Sequence, residues 1–233
     1  MTGFGRWLGT SREELLDQED ITSERGRRIL NELDKWNEMS GWYRAHLKRI
    51  RRHWEALEKP QPFRVLDVGC GPGGLLAAMA DWSKTYGIRL ELTGLDRSPM
   101  YLSMARERLG DRVKLVEGDA TATGFADGAF HLATTTLMLH HLPNEVRQGL
   151  VRELGRVAAS QYLFDLERSL TGVIGWSAIA TALRFHADTR HDGVVSVLRG
   201  STLQEFEALV AGLPVRAERA FPTGLWTAPK GGA

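Results

Sequence analysis

Apolar positions fall mostly three or four apart across the first sixty residues, at Leu33, Trp36, Tyr43, Leu47, Ile50, Trp54 and Leu57, which predicts helices with one bulky apolar face. That face requires a partner. The two prolines of "EKPQPF", Glu58 to Phe63, end the helical section and place a boundary there. Beyond it, short apolar runs alternate with helical patterns. "FRVLDVG" runs into glycines and gives way to "PGGLLAAMADWSKTYG", where Pro72 suits a first turn and Leu75, Leu76 and Met79 form an inward face. "RLELTGLD" is a second strand, followed by Ser98 as an N-cap, Pro99 at the first helical position and Gly110 as a stop. "VKLVEGD", "AFHLATTTLML", a helix from about Asn144 to Arg156 and "SQYLFDL" continue the alternation, which means a parallel sheet with right-handed crossovers.

The last third is less regular. "RSLTGVIGWSAIATALRFHAD" predicts a helix rich in small residues, and "RHDGVVSVL" a loop leading into a short strand. Thr202 and Glu205 form a capping box before "LQEFEALVAG", while "PVRAERAF" and "GLWTA" suit an antiparallel pair at the sheet edge. The expected class is α/β: a Rossmann-like sheet, mostly parallel with an antiparallel edge strand and helices on both faces. It should occupy residues 61–233, behind an N-terminal helical cap in 1–60 and with lid helices at about 167–190.

A length of 233 residues suits one such domain with an appended helical piece. Formal net charge is +1, so the chain lacks the electrostatic footprint of a nucleic-acid binder, and Arg44, Lys48, Arg49, Arg51 and Arg52 read as a solvated helix face. The opening residues carry no apolar signal segment, and "GVIGWSAIATAL" from Gly172 is too short to span a bilayer, so a cytoplasmic protein is expected. Cys70 is the only cysteine, which excludes an intrachain disulfide and a cysteine-based metal site; no metal is expected.

Chemistry gathers around "RVLDVGCGPGG", with glycines at Gly69, Gly71 and Gly74. The spacing alone fits either a dinucleotide pyrophosphate or a methionine-derived sulfonium. Asp67, two residues before the first glycine, would repel a pyrophosphate and suits a cationic amine. Asp96 closes the second strand, where its carboxylate can accept from ribose hydroxyls in either ligand. Asp119 ends the third strand, placed to accept from an exocyclic adenine amine while the Ala120 N–H faces the ring.

"VLDVGCGPGG", "LTGLDRSPMYLSMAR" and "VEGDATATGFADGAFHLATTTLMLHHL" resemble, in order and spacing over residues 63 to 166, the motifs of class I S-adenosylmethionine-dependent methyltransferases. Within that superfamily the chain resembles the ubiquinone/menaquinone-biosynthesis-like small-molecule group, including members that accompany polyketide biosynthesis. The resemblance implies S-adenosylmethionine as cofactor and S-adenosylhomocysteine as product. It puts Gly69 and Gly71 along the methionine portion, Asp67 near its amino group, Asp96 on the ribose and Arg97 beside the adenine. Asp119 and Ala120 would read the adenine edge, Thr136 and Leu137 lie below the methionine chain, and Cys70 contributes backbone. "RVAASQYLF" lacks the glycine turn the family often carries before the fifth strand.

Methyl transfer is an in-line displacement, so positioning in a dry pocket supplies most of the rate and a base helps an oxygen or nitrogen nucleophile. "TRHDG", Thr189 to Gly193, offers Arg190 for an acidic or phenolic acceptor and His191 with Asp192 as a base on a loop. His140 and His141 follow the fourth strand; one can face the acceptor, with His141 the catalytic candidate, or the pair shapes the loop. Asp165 and Arg168 after the fifth strand are candidate substrate contacts, as is Tyr43 in an aromatic wall with Trp36, Trp42, Trp176 and Phe185. The expected reaction is methylation of a small aromatic or polyketide-like acceptor, first at oxygen. Carbon methylation of a quinone or phenol, a non-catalytic binder of the same cofactor, and an NAD-linked oxidoreductase are the alternatives. The only partner expected is the small-molecule acceptor, with no nucleic acid, no membrane span, and a monomer or homodimer.

Overall fold

In the computed structural model, residues 9–18, 23–220 and 224–230 are described. Two helices come first, α1 (Ser23–Met39) and α2 (Trp42–Ala56), joined through Gly41 at φ 76°. The sheet is the partner of the α2 face, whereas α1 packs on α2 and on the helix at residues 187–199. α2 buries Ile50 along with His46 and His53, whose Nδ1 atoms lie 2.6 Å from the Tyr162 hydroxyl and 2.8 Å from Ser160 Oγ. Burial pushes both imidazoles down to about 4, so they sit there neutral. Arg44, Lys48, Arg51 and Arg52 are exposed, whereas Arg49 lies half-buried with its guanidinium 3.6 Å above the Trp226 ring.

The alternating section follows as β1 (Phe63–Val68), α3 (Gly74–Tyr86), β2 (Leu90–Asp96), α4 (Pro99–Leu109), β3 (Lys114–Glu117), β4 (Phe130–Thr136), α5 (Asn144–Val157) and β5 (Ala158–Leu166). Then come α6 (Leu170–Ala182), α7 (Ala187–Arg199), α8 (Leu203–Leu209), β6 (Val215–Ala220) and β7 (Gly224–Pro229). The seven strands lie in the order β3-β2-β1-β4-β5-β7-β6. β1 to β5 run parallel, and β7 inserts antiparallel to both β5 and β6, so the predicted antiparallel pair forms at the edge.

Strand period fixes which side chains share a face. Phe63 and Val65 of β1 point toward α2, α3 and α4, in a cluster with Ile50, Leu76, Met79 and Leu102; Leu66 and Val68 point the other way, against Leu150, Leu154 and Phe206 of α5 and α8. Asp67 follows Phe63 and Val65. Winding proceeds outward from β1 through β2 to β3 and then returns past β1 to β4, so a crevice opens at the carboxyl ends of β1 and β4.

Local signals hold at the caps: Ser98 Oγ accepts from Tyr101 N at 3.3 Å with Pro99 in the first turn, and Thr202 with Glu205 closes a capping box on α8. One expectation is corrected. Residues 190–198 are helix, part of α7, and not a loop leading into a strand. The Asp-Gly pair reads as a turn, yet Gly193 serves helix contact: a methyl group there would sit 2.1 Å from Cε2 of Trp176 on α6. Among the described residues no helix is long and apolar enough to cross a membrane.

Candidate functional site

A cavity of about 1380 Å³ occupies the crevice, and its floor is the turn after β1. Gly69 N and Cys70 N both donate to Leu95 O, at 2.8 and 3.1 Å, folding the turn back onto β2. Gly69 (φ 70°) and Gly71 (φ 53°) are left-handed, a conformation costing other residues about 1–2 kcal/mol. A methyl at Gly69 would also strike Met138 Sδ at 2.2 Å, and one at Gly74 would strike the Tyr43 hydroxyl at 2.0 Å. The third glycine therefore lets α2 close on the turn. Tyr43 donates its hydroxyl to Asp34, which also takes Arg108 Nη2 at 2.5 Å. Burial, reinforced by Asp34, raises the phenol well above its ordinary range, so Tyr43 remains a protonated donor.

Three acids stand at the ends of three successive strands. Asp67 is 2 % exposed, and its Oδ1 accepts from Thr134 Oγ1 at 2.7 Å. Burial pushes its pKa up to about 7 against the opposing pull of that hydrogen bond. A cation placed beside this desolvated carboxylate restores its charge; an anion there is rejected. Asp96 accepts from Gly71 N at 2.8 Å through Oδ2 and from Ser98 N at 2.9 Å through Oδ1, and burial raises its pKa despite both bonds. Asp119 is exposed, with Oδ1 engaged by Thr121 N and Oγ1 at 2.6 and 2.7 Å, which lowers its pKa.

These acids line one cavity together with Gly69, Cys70, Gly71, Arg97, Ala120, Thr136 and Leu137. Leu137 is a non-glycine residue at φ 55°, held by its N–H to Phe164 O at 2.9 Å. Backbone strain of this kind collects at ligand sites. Burial, with Asp67 and Asp96 nearby, raises the Cys70 thiol far above its ordinary pKa, so this residue lends its backbone and not a thiolate. A carboxylate starved of solvent, a bare glycine backbone at Gly71 with open space beyond its Cα, and an acid at the neighbouring strand end suit a cationic adenosyl ligand.

The opposite wall differs from the sequence expectation. Tyr43, His140 and His141 reach the cavity, whereas among the described residues Asp165, Arg168, Arg190, His191 and Asp192 do not line it. Asp165, 1 % exposed, works behind His140: its Oδ1 lies 2.5 Å from His140 Nδ1 and its Oδ2 accepts His140 N at 2.8 Å. Arg168 is paired with Glu205 at 2.6 Å. Arg190 gives its carbonyl to Trp176 Nε1 at 3.2 Å. Asp192 is buried and accepts Leu15 N at 2.8 Å and Leu16 N at 3.2 Å, so its carboxylate anchors the N-terminal segment, while His191 lies half in solvent beside it. Because α7 is a helix, Gly193, Ser196 and Val197 are what it turns to the cavity.

That anchored segment carries residues the sequence did not single out. Glu14, 2 % exposed, brings Oε1 to 3.5 Å from His140 Nε2 and 3.8 Å from His141 Nδ1, and burial pushes its carboxyl up to about 7 while His141 draws it down. Asp17 Oδ1 is 2.9 Å from His141 Nδ1, and its Oδ2 is 2.5 Å from Arg199 Nη1. In "SREELLDQED" these acids look like an ordinary solvated run; only the fold carries them to the histidines. Trp36 and Trp176 meet edge-on at 6.5 Å, joining α1 to α6 across an apolar wall that includes Trp42 and Trp226.

A family model described as a methyltransferase domain matches residues 65–161, the stretch from β1 into β5 that carries the glycine turn and the three acids. Over residues 65–161 the chain is thus similar to methyltransferase domains. The chain is 33 % identical over 128 residues to a probable chloroplastic tocopherol O-methyltransferase of Oryza sativa subsp. japonica, covering 52 % of this chain and 34 % of that one. It is 27 % identical over 132 residues to a demethylmenaquinone methyltransferase of Bacillus licheniformis, covering 56 % and 54 %. The chain thus spans about a third to a half of the length of these relatives. The methyltransferase fold extends further than the sequence similarity. The plantazolicin methyltransferase BamL, solved with a triazolic desmethylPZN analog and SAH, superposes with a TM-score of 0.66 at 15 % identity over 88 % of this chain and 91 % of that one.

Proposed function

We propose that the protein transfers the methyl group of S-adenosylmethionine to a small, flat, largely apolar acceptor, with oxygen as the receiving atom, and releases S-adenosylhomocysteine. The observation that carries this reading is the row of Asp67, Asp96 and Asp119 at the ends of β1, β2 and β3, all on one cavity whose far wall is aromatic. In this reading α1 and α2 are the cap over the donor and α6 and α7 the lid over the acceptor.

Asp67 holds the amino group of the donor, Asp96 the ribose hydroxyls, and Arg97 the adenine face opposite Asp119 and the Ala120 N–H. The acceptor hydroxyl gives its proton up to solvent and its oxygen lends a lone pair to the methyl carbon as the carbon–sulfur bond breaks, with that bond's electron pair staying on sulfur. The chain's contribution is to align the two molecules and keep water away. A cavity of about 1380 Å³ exceeds the roughly 300–1,000 Å³ of single-ligand pockets, which suits two molecules side by side. Trp36, Trp42, Trp176 and Trp226 favour a ring-shaped acceptor, and relatives named for tocopherol and demethylmenaquinone agree with a lipophilic one. Its polar atom would meet the corner of Glu14, His140 and His141.

Calorimetry with S-adenosylhomocysteine and with NAD tests the donor, and incubation of phenols and quinols with donor labelled at the methyl carbon tests the transfer. Uptake of S-adenosylhomocysteine but not NAD, and label on an acceptor oxygen, are expected. Label on a ring carbon replaces oxygen by carbon as the receiving atom, and absence of S-adenosylhomocysteine binding removes the whole reading.

A further inference from the structure

Glu14, His140 and His141 present ligand atoms that all lie within 4.8 Å of one another. The Glu14 Oε1 separations of 3.5 Å to His140 Nε2 and 3.8 Å to His141 Nδ1 are long for hydrogen bonds. They are close to the edge of a tetrahedron of ligands, about 3.4 Å when each stands 2.0–2.1 Å from a central cation. Glu14 Oε1 is itself buried and without a hydrogen-bond partner among the described residues, in a side chain 2 % exposed. A buried carboxylate oxygen left without a donor is costly, and here it is aimed at two imidazole nitrogens.

The second layer is that of a metal site. His140 Nδ1 is held by Asp165 at 2.5 Å, which leaves Nε2 as a lone-pair donor toward Glu14, the carboxylate–histidine arrangement that orients ligating imidazoles. Negative charge is in excess around it. Asp17, Asp165 and Asp192 crowd the same corner; Arg199 is engaged by Asp17 and the His141 carbonyl, and Arg147 by the Leu142 and Arg199 carbonyls and Ser201. We propose that Glu14, His140 and His141 bind one divalent cation of the zinc class at the cavity wall, taking the place of Asp17 as the partner of His141 Nδ1.

All three residues line the cavity, so the ligand position they leave is reached from it. Three protein ligands with an open fourth position is the form of catalytic, not structural, zinc. If the methyl-transfer reading above holds, the occupant of that position is the acceptor's hydroxyl oxygen, which the cation polarises so that its proton passes to solvent before the oxygen takes the methyl group. The sequence shows no metal motif because the third ligand comes from a segment far from the histidine pair.

The test uses the full chain stripped with a chelator, titrated with Zn²⁺ by calorimetry and with Co²⁺ followed by its visible absorption, beside Glu14→Gln, His141→Asn and, as a surface control, His186→Ala. One equivalent per chain, a tetrahedral Co²⁺ spectrum, and at least about tenfold weaker binding in the first two variants but not the third are expected. Thermal melts and S-adenosylhomocysteine binding check that each variant is folded. Binding unchanged in folded Glu14→Gln, or lost in His186→Ala, overturns the site, as does no stoichiometric uptake. Metal uptake without S-adenosylhomocysteine binding would leave this site standing and refute the donor reading alone.

Discussion

Thr134 donates its hydroxyl to Asp67 Oδ1 at 2.7 Å, and the two residues are register partners on the adjacent parallel strands β4 and β1. Both are buried, so the bond orients the carboxylate from within the sheet toward the cavity. Thr134→Val keeps the shape and removes the donor. A hydrogen bond to a charged group is worth about 1.5–3 kcal/mol, so S-adenosylhomocysteine should bind roughly tenfold to a hundredfold more weakly, with Thr134→Ser close to wild type. Calorimetry reads the difference. Equal affinity in the valine variant would show that Asp67 does not need orienting to meet its ligand.

The pH dependence follows from Asp67, whose carboxyl is raised from 3.8 to about 7 chiefly by burial. Because the folded value lies above the unfolded one, ionising this group costs stability as pH rises between about 4 and about 7, and the loss is complete above that. Asp67→Asn should therefore melt at a higher temperature than wild type at pH 8, and at the same temperature near pH 4. Ligand affinity has the opposite slope. A cationic amine needs the ionised form, so S-adenosylhomocysteine binding should strengthen up to about pH 7 and then level, and the slope should vanish in Asp67→Asn.

Most of the donor side was legible because its information is local. Strand, glycine turn and helix follow one another in sequence, and the acids sit at strand ends that alternating runs already mark, so Asp67, Asp96 and Asp119 needed only the sheet order to meet. The opposite wall, the proposed acceptor side, was not legible, since its contacts are long-range. Glu14 meets His140 and His141 on a segment held where Asp192 accepts Leu15 N and Leu16 N and Asp17 pairs with Arg199, and no spacing rule announces that. Local chemistry also misled: Asp192-Gly193 has turn composition, but the packing of Gly193 on Trp176 selects helix. Helix contacts between distant elements override turn preference wherever a missing side chain permits close approach.

Gly193→Ala separates those two readings. In an exposed helix the exchange would gain about 1 kcal/mol, but here the new methyl overlaps the Trp176 indole, with Cε2 at 2.1 Å and Nε1 at 2.2 Å. Overpacking of this kind costs about 1–3 kcal/mol, so a net loss of stability and a displaced α6 are expected. Trp176 lines the cavity on the proposed acceptor side, so KM for the acceptor should rise while S-adenosylhomocysteine affinity stays near wild type. A stabilised variant with unchanged acceptor kinetics would contradict the helix contact.

Asp192 and His191 were the sequence's candidates for a base, and the structure gives them separate fates. Asp192→Ala removes the two carboxylate acceptors of a side chain 1 % exposed, leaving the donors Leu15 N and Leu16 N without that partner. Each orphaned donor costs about 1–3 kcal/mol, so the variant should lose about 2–6 kcal/mol in denaturant melts, and its N-terminal segment should be cut faster by protease. His191→Ala removes a side chain that is nearly half exposed and, among the described residues, bonded only to its neighbour at 3.2 Å, so stability should change by less than about 0.5 kcal/mol. Turnover should follow the same division. A large fall in turnover in His191→Ala with unaltered stability would return that histidine to the chemistry, and an Asp192→Ala chain as stable and protease-resistant as wild type would refute the anchor.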